Sequence, residues 1–158
     1  MHTITLNRVY EFDFTGTISF GDLDPSFLYE MFRDGRFCCE PLSRHLEQVF
    51  NDLKFVDRKG YDFINSLFGK IEKKQITKGG LRFSPSSMIG AGRKVNYQEV
   101  VDHIISNDLT YLLADITEFP RVRVVFLKGT DLLDNCTSKN CHYSKSKAQE
   151  LFINAAQS

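Results

Sequence analysis

The sequence lacks several features that would assign it quickly. It has no run of apolar residues approaching the length of a membrane span, so no membrane partner is expected. Its first ten residues are too polar for the apolar segment of a secretory signal, and a cytoplasmic protein is expected. There is no net charge to advertise a partner, because 20 Lys and Arg balance 20 Asp and Glu. Gly90-Ala91-Gly92-Arg93 is followed by no Lys-Ser/Thr pair, which excludes a P-loop, and it is no dinucleotide fingerprint either. No Ser-His-Asp or Cys-His arrangement is visible, and His45, His103 and His142 each lack a catalytic partner in sequence. Only four cysteines occur. Cys38 and Cys39 are adjacent, and Cys136 and Cys141-His142 form half a metal site without a second pair of ligands, so free thiols are the expected state.

What is present points to one domain. The 158 residues fit a single-domain size, and 14 Phe allow a sizeable core. Residues 3–14 alternate apolar and polar positions and read as strand. Asp24-Pro25 is a cap and first-turn pair for a helix over residues 26–33. Leu42, Leu46, Val49 and Phe50 recur at helical spacing. Strands are expected at 54–56, from 62 and at 69–77, a helix capped by Asn96 over 96–106, and two strands at 111–116 and 121–127. Residues 134–147 are polar, and a short helix is expected over 148–156. The predicted class is α/β or α+β, with a central mixed β-sheet flanked by helices. Residues 1–35 read as an N-terminal strand and helix arm, 36–128 as a core and 129–158 as a tail. The arm was open to three roles: dimerisation element, nucleic-acid clamp or core filling.

The chemistry concentrates between residues 60 and 94. Asp62 stands at a predicted strand start, and ten residues later comes Glu72-Lys73-Lys74. Side chains alternate faces along a strand, so Glu72 and Lys74 point the same way. Mg2+ uses hard oxygen ligands and only one or two protein carboxylates, which Asp62 and Glu72 could supply, with the Lys73 carbonyl as a further ligand. Lys74 would then stand beside the metal and the attacking water. The triplet by itself is equally compatible with an exposed charge pair on a strand, and Asp52-Leu53-Lys54 and Asp57-Arg58-Lys59 show how easily such a pattern arises. Residues 69–94 hold seven Lys and Arg (70, 73, 74, 78, 82, 93, 94) against one acid, Glu72, a local excess of six positive charges. Within it, Lys78, Arg82, Ser84, Ser86, Ser87, Arg93 and Lys94 are candidate contacts to phosphates and base edges.

The helix–strand–strand–helix–strand order around Gly60-Tyr61-Asp62 and Glu72-Lys73-Lys74 resembles the PD-(D/E)xK, restriction-endonuclease-like nuclease superfamily, with Tyr61 in place of the proline. Thr77-Lys78-Gly79 adds a similarity to small, PvuII-like type II restriction enzymes, and the resemblance spans residues 36–128. It implies an endodeoxyribonuclease acting on double-stranded DNA as a homodimer. Mg2+ would be the cofactor, with Mn2+ able to substitute, on Asp62 and Glu72, and Lys74 would be the catalytic lysine. Members also place a helix glutamate near the metal, and Glu40 and Glu47 are the candidates. A structure-specific nuclease and a non-catalytic DNA-binding or interaction module are the alternatives. Dependence on a divalent metal separates the last from the others.

Overall fold

The structure is a computed structural model. It describes residues 1–157 except 17, 36, 38, 89–93 and 137–138, and the backbone but not the side chain of Ser86. In chain order the strands are β1 (Val9–Asp13), β2 (Lys54–Arg58), β3 (Tyr61–Asn65), β4 (Gly69–Ile76), β5 (Leu81–Arg82), β6 (Thr110–Asp115), β7 (Arg121–Lys128) and β8 (His142–Tyr143). The helices are α1 (Pro25–Arg33), α2 (Cys39–Val49), α3 (Tyr97–Ser106), α4 (Gly129–Asn135) and α5 (Lys145–Ala156).

Six strands form one mixed sheet in the order β1-β7-β6-β4-β3-β2, and β5 pairs with β8 in a separate two-stranded ribbon. Strands β4 and β6 run parallel, from Ile71 opposite Thr110 to Ile76 opposite Asp115, and the other neighbouring strands of this sheet are antiparallel. A parallel pair needs a crossover, and α3 lies within it. The predicted mixed sheet flanked by helices is therefore the observed architecture.

Each face of the sheet carries its own core. On one side Ile71, Leu112, Ala114, Val124 and Phe126 pack with Leu42 and Leu46 of α2 and with Tyr10 and Phe50. On the other, Ile76, Tyr111, Leu113, Val125 and Leu127 pack with Val100 and Ile104 of α3, Leu132 of α4 and Phe152 of α5. Most of these side chains are fully buried, and each contributes roughly 1.5–3 kcal/mol by leaving water. The caps follow the sequence. Asp24 accepts from the Ser26 amide at 2.8 Å, and Asn96 accepts from the amides of Gln98 and Glu99 at the start of α3.

Three elements differ from expectation. The N-terminal strand is shorter than residues 3–14, because Asn7 adopts a left-handed conformation (φ 59°) that interrupts it. Even so, Leu6 bridges to Phe126 and β1 pairs along β7, so the N-terminal strand belongs to the main sheet. The tail is also part of the core. Helix α4 was not foreseen, α5 starts at Lys145 rather than 148, and Ala148, Leu151, Phe152 and Ala155 are buried. Finally, the residues after β4 make a tight turn in which the amides of Thr77 and Gly80 each donate to the other's carbonyl, at 3.1 and 2.9 Å.

Gly80 cannot be replaced easily in that turn. Its φ is +93°, and a Cβ there would lie 2.1 Å from the Tyr143 carbonyl oxygen, in backbone that has little room to move. Gly80→Ala is expected to destabilise the protein by roughly 3 kcal/mol, combining backbone strain with overpacking. A urea melt checks this. An unchanged midpoint would show that β5 and β8 do not pack against this turn.

Candidate active site

The site is built where β3 stops following β4. Phe63 lies opposite Ile71, Ile64 opposite Lys70 and Asn65 opposite Gly69. Continued, this register would set Asp62 against Glu72 and Tyr61 against Lys73. The ladder instead ends at Phe63 and Ile71, while Tyr61 pairs back with Arg58 of β2. The Lys73 amide, which an antiparallel neighbour would otherwise take, donates to Asp62 Oδ2 at 2.7 Å. A residue in an antiparallel strand turns its N–H and C=O toward the same edge. The Lys73 carbonyl therefore faces the same opening as its amide.

Glu72 and Lys74 sit on the α3 face of β4. Glu72 Oε1 and Lys74 Nζ are 2.9 Å apart, with side chains only 4% and 11% exposed. Glu72 lies beside Tyr111 in the parallel register. Burial pushes the carboxyl groups of both Asp62 and Glu72 above their ordinary values. At Asp62 the Lys73 amide and the charges of Lys73 and Lys74 oppose the rise, while Asp57 adds to it. At Glu72 the Lys74 charge opposes it, Asp62 adds to it, and His103 works against it. Burial raises both carboxyls and Asp62 raises Glu72 further, an arrangement that favours a cation beside them.

Lys73 is itself buried, at 6% exposure, and turns to the opposite face. Its ammonium donates to the Cys39 carbonyl and the Ser43 hydroxyl in the first turns of α2. One residue therefore ties β4 to Asp62 through its amide and to α2 through its side chain.

The structure brings together Asp62, Glu72, Lys74 and the Lys73 backbone. It does not bring Glu40 or Glu47 to them. Glu40 is exposed and pairs with Arg44 at 3.6 Å. Glu47 accepts from the Phe55 amide at 3.0 Å and faces Arg44 at 3.5 Å. The physical reason is that α2 packs on the Lys73 face of β4, whereas Glu72 and Lys74 occupy the other face. The expectation that one of these glutamates joins the site is not met in this conformation.

Lys74 also lines an open cleft of about 570 Å3, together with Asp34, Thr77, Gly80, Arg82 and His142. Arg82 is exposed, as are Lys78 in the turn, Ser87 and Lys94. Ser84 is fully buried, and its hydroxyl has no hydrogen-bond partner, so it is not presented to a nucleic acid as expected. Arg93 and the glycines at 90 and 92 lie outside the described residues, as do the Ser86 side chain and Cys38. Among the described residues no group of three His, Cys, Asp or Glu side chains is arranged to hold a metal.

Three residues near the site escaped the sequence reading. Asp57 acts on Asp62 from an irregular stretch of β2 where the register shifts. The His103 ring, on α3, has Nε2 3.4 Å from the Gly60 carbonyl and acts on Glu72. His142 reaches the cleft from the tail. None of these placements has a local signal, because each depends on a contact between distant segments.

No protein-family model, no curated protein and no solved structure matches the chain.

The carboxyl pair has a consequence for stability. A carboxyl whose folded value is raised holds its proton more tightly when folded, so its contribution to stability is present at low pH and is lost as pH rises through the folded value. In metal-free buffer Asp62→Asn, which keeps an acceptor for the Lys73 amide, is therefore expected to melt above the wild type at neutral pH. The gap should close as pH falls through the ordinary carboxylate range. Thermal melts in EDTA across that range check it, and a variant less stable than the wild type at neutral pH would contradict it.

Proposed function

We propose that the chain is a divalent-metal-dependent endodeoxyribonuclease of the PD-(D/E)xK kind that hydrolyses phosphodiester bonds in double-stranded DNA. The observation that carries this reading is half-buried Asp62 with buried Glu72 at the parting of β3 and β4, and Lys74 2.9 Å from Glu72. The order α2-β2-β3-β4-α3-β6 of the helices and main-sheet strands, interrupted only by the ribbon strand β5 before α3, supports it, with α2 and α3 on opposite faces of the sheet. Neither exposed strand charges nor an incidental surface triplet would leave Glu72 at 3% exposure.

Asp62, Glu72 and the Lys73 carbonyl form the donor set for Mg2+, with Mn2+ as a substitute. Two carboxylates and a carbonyl match an ion that takes hard oxygen ligands and keeps several waters. When bound, the ion offers Lewis-acid stabilisation of charge on the phosphate and a lowered pKa for bound water. The chain's own groups do the positioning. Asp62 is held by the Lys73 amide, and β4 by the Lys73 ammonium on α2. The Lys74 ammonium lines the cleft, where it can donate to the attacking water or to a phosphate oxygen as negative charge builds. Water then adds to phosphorus in line as the bond to the sugar oxygen breaks; the sugar oxygen leaves with the bonding pair and takes a proton from solvent, and the attacking water gives up its proton to solvent. The low exposure of Glu72 and Lys74 strengthens the electrostatic contacts they make relative to bulk water.

Cutting both strands of a duplex with one site per chain calls for two copies related by a twofold axis. A homodimeric type II restriction enzyme is the form of the proposal that fits a chain of this size.

The test is incubation of the purified protein with linear unmethylated DNA and Mg2+, beside Glu72→Gln and Lys74→Ala. Each variant is expected to lose at least about 100-fold in cleavage rate while retaining its fold by circular dichroism. Discrete fragments would indicate sequence-specific cutting, and cleavage of branched substrates alone would indicate a structure-specific nuclease. No cleavage by the wild type on any of these substrates would contradict the proposal.

A further inference from the structure

The cleft beside Lys74 has a second wall that the core resemblance does not account for. Beyond Lys73, β3 no longer accompanies β4, although β4 continues alongside β6 to Ile76. The ribbon of β5 and β8, in which Arg82 lies opposite His142, borders the same cleft as Lys74 and Gln75 of β4. The two strands are 60 residues apart in sequence (82 and 142), and β8 belongs to the tail. Arg82 and His142 both line the cleft that Lys74 lines.

We propose that Arg82 and His142 form a phosphate-binding subsite for one DNA strand, next to the phosphate attacked at Lys74. The inference rests on the nuclease reading and adds the C-terminal ribbon to the DNA-binding surface. His142 Nε2 lies 2.9 Å from the Gly79 carbonyl. A carbonyl only accepts, so Nε2 donates, and the ring is fixed against the turn that ends β4. Nδ1 is left as the ring's other polar atom, and it donates when the ring is protonated. Across the ribbon, Arg82 presents a planar fork suited to two oxygens of a phosphate. The acid among the cleft residues, Asp34, precedes α2 on the other side of the opening and disfavours an anion there. This leaves the ribbon wall as the anion's position. The cleft volume of about 570 Å3 suits a short stretch of one strand, with the rest of a duplex lying across the surface.

The subsite is tested by binding, which separates it from catalysis. A fluorescein-labelled duplex of about two helical turns is titrated by anisotropy in EDTA at about pH 6, over a range of salt concentrations. Arg82→Ala is expected to reduce the magnitude of the slope of log K against log salt by about 0.9, the loss of one phosphate contact. Arg82→Lys should retain the wild-type slope. His142→Ala should weaken binding about threefold to tenfold. Arg8→Ala, three strands away beside β1, should leave both quantities unchanged. Thermal melts establish that each variant is folded, and charge-preserving Arg82→Lys with a wild-type slope guards against a purely structural effect at Arg82. If Arg82→Ala and His142→Ala bind with wild-type affinity and slope, the subsite is wrong, and the nuclease reading still stands or falls on Glu72→Gln in the cleavage assay. If the wild type binds no duplex, the subsite is overturned, and the nuclease reading is decided by the cleavage assay in Mg2+.

Discussion

The hydrogen bond from the Lys73 amide to the Asp62 carboxylate, at 2.7 Å, fixes the geometry on which the site depends. A backbone amide in the middle of a sheet normally finds a carbonyl on the next strand. Here β3 turns away to stay with β2, and without a substitute that amide would be left unpaired in a half-buried place. Asp62 supplies the substitute from its side chain. The strands can then separate without an orphaned donor, and the separation creates the opening that Lys74 and the β5–β8 ribbon line. The same bond holds a carboxylate near enough to Glu72 to raise its proton affinity.

The two faces of β4 divide the labour. On the α2 face, Ile71 joins the core and the Lys73 ammonium bonds Cys39 and Ser43, which couples the helix to the strand carrying the site. On the α3 face, Glu72 and Lys74 pair beside Tyr111, whose hydroxyl donates to the Phe83 carbonyl at 2.7 Å. A buried lysine is tolerated only when its charge is bonded, and the helix carbonyl and hydroxyl meet that need. The division also explains why neither glutamate of α2 contributes: a helix on one face of a strand cannot place a short acid beside residues on the other.

The trio at the centre was legible because strand geometry is simple. Alternation put Glu72 and Lys74 on one face, and the spacing of Asp62 ten residues before Glu72 marked the acid that the structure bonds to the Lys73 amide. Helices α1 and α3 were legible from Asp24-Pro25 and Asn96, whose side chains do cap them. The burial of Ser84, the pairing of Arg82 with His142 and the packing of α5 were not legible. Two-residue strands carry no periodicity, and whether a serine faces solvent depends on what folds back over it. The tail looked polar because its apolar residues are few, but Tyr143, Ala148, Leu151 and Phe152 all turn inward. The acids of α2 misled for a related reason: helical spacing shows that Glu40 and Glu47 share a side of the helix, and not which face of the sheet that helix covers.

The central claim is that the paired carboxyls form a divalent-cation site, and it is tested most directly by thermal unfolding of the intact protein during titration with MgCl2 or MnCl2 at neutral pH. A ligand that binds only the folded state stabilises it by RT ln(1 + [L]/Kd), so the melting temperature rises with the logarithm of ligand concentration above Kd and does not level off at saturation. The melting temperature should rise in this way in the wild type, and the rise should vanish in a variant carrying both Asp62→Asn and Glu72→Gln. Equal responses of the wild type and the double variant, or no response of the wild type to either metal, would contradict the claim.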